Sequence, residues 1–221
     1  MRSYLTKTKD GEKEVIPMNP VKIAVLVSGG GTNLQALIDA EKAGIIKSGK
    51  ISLVVSSSPT AYALERAKNA GIETAVADKH AYENRKDFEK ALIASLEEKG
   101  IELIVLAGFM YILSPEFIAH YKDRMINVHP SLIPSFCGDG FYGLRVHEAA
   151  LAYGVKVTGA TVHFVNEITD GGKIIMQKAV SIQDGDTPEI LQKRVMQEAE
   201  WIILPEAVEK VSKDIINGGT I

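Results

Sequence analysis

The chain has 221 residues, of which 46% are apolar, enough for a sizeable buried core. Twenty-five Lys and Arg against 28 Asp and Glu leave a net charge of −3, which makes no electrostatic case for a nucleic-acid or polybasic membrane-surface binder. The single cysteine, Cys137, excludes an intramolecular disulfide framework and a multi-cysteine zinc site.

Residues 1–20 carry scattered charges and lack the apolar run of a secretory signal, and no segment reaches the roughly 20 apolar residues of a membrane span. The expectation is a cytoplasmic protein with an amino-terminal extension over 1–20 and one domain over 21–221. Val21 to Val27 is nearly all apolar and β-branched, as a strand buried on both faces should be. Ser28-Gly29-Gly30-Gly31-Thr32-Asn33 stops it, and Leu34, Leu37 and Ile38 then recur at helical spacing. Ile51 to Ser56 predicts a strand, Tyr62 to Ala70 a helix, and Thr74 to Ala77 a short strand. Asn84 to Lys99 reads as a helix closed by Gly100, and Leu103 to Ala107 as a wholly apolar strand. Such alternation implies parallel βαβ units.

The second half is more mixed. Ser114-Pro115-Glu116 reads as a helix cap with proline at the first helical position, and Met125 to Val128 as a strand running into His129. Val146 to Tyr153 looks helical, and Val157–Val165 and Lys173–Val180 look like strands. Thr187-Pro188-Glu189 opens a long final helix whose buried face is expected to carry Leu191, Val195, Ala199 and Ile202, with a kink at Pro205. The fold class is α/β, a mostly parallel sheet flanked by helices with a mixed carboxyl-terminal part.

In an open α/β sheet, ligands bind beyond the carboxyl ends of the strands, and three features fall there. The turn Gly29–Asn33 suits an anion, because small residues let backbone N–H groups approach and a helix start adds its dipole. A tight turn with no ligand is the plain alternative, and neither a P-loop nor a dinucleotide fingerprint is present. Asn127 and His129 stand at i and i+2 of a strand and leave the same face. An amide that can hold an oxyanion beside an imidazole that can carry a proton is what acyl transfer needs, although a lone histidine can equally be structural. Thr169-Asp170-Gly171-Gly172 could turn a carboxylate inward, or simply join two antiparallel strands. His163 reads as a hydrogen-bonding or core residue, His147 lies near a helix start, and His80 and His120 read as surface residues. No grouping has metal-ligand spacing, and Cys137 lacks a nucleophile signature.

Taken together, Ser28–Gln35, Leu106–Ser114, Asn127–Pro134, Gly159–Val165 and Asp170–Gly172 occur in the order of the phosphoribosylglycinamide formyltransferases, which the chain resembles from about Val21 to Pro205 and beyond. The resemblance implies a single-domain Rossmann-like formyltransferase fold. It also implies transfer of a formyl group from 10-formyltetrahydrofolate to a phosphoribosyl-linked amine, with small-molecule substrates, no nucleic acid, no membrane and no metal. The protein would act as a monomer or homodimer. Gly31, Thr32 and Asn33 resemble the family's substrate-phosphate site. Arg85 resembles its folate-contacting arginine, and Met110, Tyr111, Ile112 and Leu113 its pterin pocket, with Tyr111 where some members carry arginine. Asn127 and His129 resemble the catalytic amide and imidazole, and Asp170 the carboxylate that raises the histidine's pKa, so that a protonated His129 and Asn127 would hold the oxyanion.

Two places depart from the pattern. The segment from Ser135 to Val146 is longer than in many members. A late substrate-contacting glutamate falls on Glu200 when counted back from Pro205, but shifts by one when counted forward from Arg194-Val195, so Gln197 and Glu200 are both candidates. Related readings are a formyltetrahydrofolate hydrolase or another formyl-folate transferase, which would bring extra domains that 221 residues leave no room for. A non-catalytic module for a sugar phosphate or pterin would not need Asn127, His129 and Asp170 to converge.

Overall fold

The computed structural model describes residues 3–7, 13–17 and 19–218. β1 (Ser3–Lys7) and β2 (Lys13–Pro17) pair antiparallel as a separate two-stranded sheet, where the sequence suggested no element. The main sheet comprises β3 (Val21–Val27), β4 (Gly49–Ser56), β5 (Glu73–Val76), β6 (Leu103–Leu106), β7 (Met125–His129), β8 (Val157–Phe164) and β9 (Ile174–Ser181). Their order is β5-β4-β3-β6-β7-β8-β9; the first five are parallel, and β8 pairs antiparallel with both β7 and β9. The order reverses direction at β3, whose two neighbours are β4 and β6, and this is where such sheets open a ligand crevice.

The helices are α1 (Thr32–Lys42), α2 (Tyr62–Asn69), α3 (Arg85–Glu98), α4 (Pro115–His120), α5 (Leu144–Tyr153), α6 (Pro188–Val195) and α7 (Trp201–Ile216). Two apolar clusters cover the two faces of the sheet. Ile23, Val25 and Val27 of β3 join Leu37, Val105, Val162 and Leu204 in one, whereas Ala24 and Leu26 join Phe88, Leu96, Ile104 and Phe117 in the other. This alternation with period two explains why β3 is apolar at every position but Lys22. Ser114 and Thr187 cap their helices as expected, Ser114 Oγ accepting from the Phe117 amide and Thr187 Oγ1 from that of Ile190, and Asn84 Oδ1 likewise accepts from the Asp87 amide.

The final helix differs from its expected form. Leu191, Val195 and Ala199 are fully buried, but Ile202 is 39% exposed and Ile203 takes its place in the core at 4%. One π-helical turn over Met196–Glu200 separates α6 from α7. Such a turn inserts one residue into the α-helical repeat and moves everything after it forward by one position. Pro205 lies inside α7.

Candidate active site

The turn after β3 is shaped by close approach. Gly31 has φ +70°, and a Cβ there would stand 2.6 Å from the Cβ of Ala63. α1 therefore starts with no side-chain cap, leaving its first amides open to an anion. Asn33 Nδ2 donates to Glu200 Oε2 at 2.6 Å, bringing the start of α1 to the π turn. Glu200 is buried, and that burial pushes its carboxyl up to about 6 against the opposing effect of the Asn33 amide. Gln197 is exposed, so of the two late candidates only Glu200 meets the turn. Glu200 is the last residue of the π turn Met196–Glu200, which turns its side chain towards the start of α1.

Asn127 and His129 leave β7 on one face, and the neighbouring β8 places His163 directly opposite Asn127. Asp170 reaches all three. Its Oδ2 is 3.4 Å from His129 Nδ1, and its Oδ1 is 3.5 Å from Asn127 Nδ2 and 3.6 Å from His163 Nε2. The two glycines after Asp170 have a steric cause. A Cβ on Gly172 would lie 1.6 Å from the carbonyl oxygen of Phe164, and one on Gly171 2.6 Å from the side chain of Ile168. Asp170 itself has φ +55°, a conformation aspartate tolerates better than most residues. The Asp-Gly-Gly segment does join two antiparallel strands, and in doing so it turns the carboxylate inward.

The segment from Ser135 to Val146 supplies contacts that sequence reasoning missed. The Phe136 carbonyl accepts from His129 Nε2 at 2.9 Å, and the Gly138 amide donates to Asp170 Oδ2 at 2.9 Å. Thr169 Oγ1 donates to Asp139 at 2.9 Å. The contacts of Phe136 and Gly138 use backbone groups, so no side-chain motif could have announced them. Burial pushes the His129 imidazole below its ordinary range, and the Asp170 charge and the Phe136 carbonyl push back against it. Burial also opposes ionisation of Asp170, but His163, His129 and the Gly138 amide outweigh it and hold the carboxyl below the usual range. The resting imidazole is thus more easily neutral than the sequence reading expected.

These residues line one wall of a cavity of about 610 Å³. Met110, Tyr111, Ile112 and Leu113 form another wall, and Phe141 and Tyr142 of the longer loop a third. Arg85 stands over the Tyr111 ring at 5.8 Å and donates to the Ile112 carbonyl and to Glu89. Glu89 in turn accepts from the amide and the hydroxyl of Ser114, which anchors the Tyr111–Leu113 wall from behind. Ser28 Oγ accepts from the Met110 amide, joining that wall to the glycine turn. Among the described residues, no group of three or more His, Cys, Asp or Glu is placed to hold a metal ion, and no helix is long and apolar enough to cross a membrane.

Known proteins resemble this chain in sequence and in fold. The phosphoribosylglycinamide formyltransferase of Escherichia coli is 42% identical over 185 residues, which cover 84% of each chain. The crystal structure of glycinamide ribonucleotide transformylase 1 from Symbiobacterium toebii superposes with a TM-score of 0.83 at 41% identity, covering 89% of this chain and 90% of that one. The trifunctional purine biosynthetic protein adenosine-3 of Gallus gallus is 45% identical over 204 residues, 92% of this chain, but the chain spans only 20% of that relative's length. The formyl transferase family profile matches residues 21–208, from the first strand of the main sheet to the middle of α7, and the chain belongs to that family.

Proposed function

We propose that this chain transfers the formyl group of 10-formyltetrahydrofolate to the amine of 5-phosphoribosylglycinamide, giving formylglycinamide ribonucleotide and tetrahydrofolate in purine biosynthesis. The observation that carries this reading is the convergence of Asn127, His129 and Asp170 on one wall of a large cavity. A binding module has no use for an amide donor, an imidazole and a carboxylate within reach of a single point. The glycine turn lies beyond β3, two strands from β7 and so about 10 Å away, a span that suits a phosphoribosyl group between phosphate and amine.

The donor supplies an activated formyl carbon, and the cavity's apolar walls fit a flat pterin ring. The open amides of α1 with Gly31, Thr32 and Asn33 hold the phosphate, and Glu200 accepts from sugar hydroxyls. Asn127 Nδ2 donates to the oxyanion that forms when the amine adds to the formyl carbon. His129 takes the proton released by the new C–N bond, and Asp170 stabilises the imidazolium. His129 then returns that proton to the folate nitrogen as the old C–N bond breaks. Arg85 contacts the folate donor, and Met110, Tyr111, Ile112 and Leu113 line its pterin pocket. The proposal includes a cytoplasmic enzyme acting on small molecules as monomer or homodimer without a required metal, with residues 1–20 outside the catalytic unit of 21–221.

The test is tetrahydrofolate release from the formyl donor, with and without the glycinamide substrate. Release only with the amine, and its loss in Asp170→Asn, is the expected result. Release in water alone would instead mark a hydrolase, and donor binding without release a non-catalytic module.

A further inference from the structure

His129 is held between two acceptors. The Phe136 carbonyl lies 2.9 Å from Nε2 and the Asp170 carboxylate 3.4 Å from Nδ1. A carbonyl oxygen can only accept, so the closer contact requires a proton on Nε2 whether or not the ring is charged. Nδ1 is then the nitrogen that gains and loses a proton, and it is the one on the side of Asp170 and Asn127.

The Phe136 backbone is not placed there by default. Its φ of +50° is one of three positive values among described non-glycine residues, an unfavourable conformation for an aromatic side chain. Its ring is gripped edge-on by Phe141 and Tyr153, with centroids 6.4 and 5.9 Å away. The preceding turn is tied by Ser131 Oγ to the Ser135 carbonyl at 2.5 Å and by the Ser135 amide to the Leu132 carbonyl at 3.0 Å. Two residues further on, the Gly138 amide holds Asp170. One stretch of three residues thus grips both members of the His129–Asp170 pair through its backbone. Loop-backed strain at such a point is a positioning device.

We propose that Phe136 is a positioning residue for the transfer: its main-chain carbonyl keeps the proton on Nε2 of His129, so that Nδ1 alone carries the travelling proton. The inference rests on the proposed reaction for its consequence, but the position of the proton is a property of the free protein. Phe141, from the same loop, and Tyr153, at the end of α5, act through Phe136.

Long-range proton–nitrogen spectra of histidine-labelled protein read the tautomer directly, with the His129 signals assigned by their loss in His129→Gln. The neutral ring is expected with its proton on Nε2 alone; a proton on Nδ1, or a mixture, overturns the proposal. Tyr153 is 80% exposed, so Tyr153→Ala removes a ring contact at little cost to the fold. Tyr153→Ala and Phe136→Ala should each give a tautomer mixture and a kcat lower by at least about tenfold at unchanged KM, with Phe136→Tyr restoring both. A pure Nε2 tautomer with wild-type kcat in both alanine variants overturns the role of Phe136. If the wild-type protein shows the Nε2 proton but no formyl transfer, the proposed reaction fails while the carbonyl's hold on the ring stands.

Discussion

Asn33 and Glu200 lie 167 residues apart in the chain and meet through a 2.6 Å hydrogen bond that joins the first turn of α1 to the π turn of the final helix. A buried carboxylate is costly, and here a single amide partner compensates only in part. Asn33 Oδ1 is itself buried with no hydrogen-bond partner among the described residues. A pair left short of partners beside an open helix start is what a site awaiting a polyhydroxylated anion looks like.

The ionised form of Glu200 therefore opposes stability. Its folded pKa of about 6 stands above the ordinary 4.5, so the folded state binds the extra proton between those values. The associated stability is complete below about 4.5 and is lost as pH rises through about 6, a change of about 2 kcal/mol. Glu200→Gln should be more stable than wild type near pH 8, with the difference vanishing near pH 4.5, and should raise KM for the phosphoribosyl substrate with little change in kcat. Equal denaturant midpoints for the two proteins at both pH values would refute this account.

Asp170→Asn and His129→Ala should each lower kcat at least about a hundredfold with the fold intact, and the double variant should be little worse than either. The pH profile adds a sign. A base protonated in advance cannot accept the amine's proton, so kcat/KM should fall on the acid side at a pH below the ordinary histidine value of 6.5. The Asp170 charge raises the His129 pKa, so the residual activity of Asp170→Asn should show this limb moved further to acid. A limb that moves to alkaline pH contradicts the pairing.

Gly172→Ala should act on the same centre without touching it. The new Cβ has no room beside the Phe164 carbonyl, so the loop must shift and carry Asp170 with it. The expected result is a kcat reduced by at least about tenfold, checked against an unchanged far-ultraviolet spectrum. Wild-type kcat would mean that the loop adjusts without moving the carboxylate.

Much of this architecture could be read from residue pattern, because strands such as β3 and caps such as Ser114 and Thr187 follow local rules. The shared face of Asn127 and His129 followed from strand alternation, whereas the Asp-Gly-Gly turn by itself left the direction of Asp170 open and only the resemblance gave it a role. Beyond the β1–β2 pair, two things near the site were not legible. The Phe136 and Gly138 contacts use main-chain atoms, which any residue could supply. The π turn has no periodicity of its own, so a straight helix put Ile202 in the core where Ile203 belongs. The shift is measurable: Ile203→Ala should cost roughly 2–5 kcal/mol and Ile202→Ala less than about 1 kcal/mol in urea unfolding. The reverse order would restore the regular helix.

His147 gives the fold a second pH dependence, of opposite sign to that of Glu200. It is wholly buried beside His129, and neither ring nitrogen has a hydrogen-bond partner among the described residues. Burial, with a smaller effect from His129, pushes its pKa down to about 4 from the ordinary 6.5. Between those values the unfolded chain holds the extra proton, so the contribution to stability is complete above about 6.5 and lost as pH falls through about 4. The full loss is at most about 3 kcal/mol. His147→Leu keeps a similar volume and removes both unpaired nitrogens, so its stability should decline less than that of wild type between about pH 7.5 and about pH 5 in urea unfolding. Parallel declines in the two proteins would mean that His147 finds a partner for its proton inside the fold.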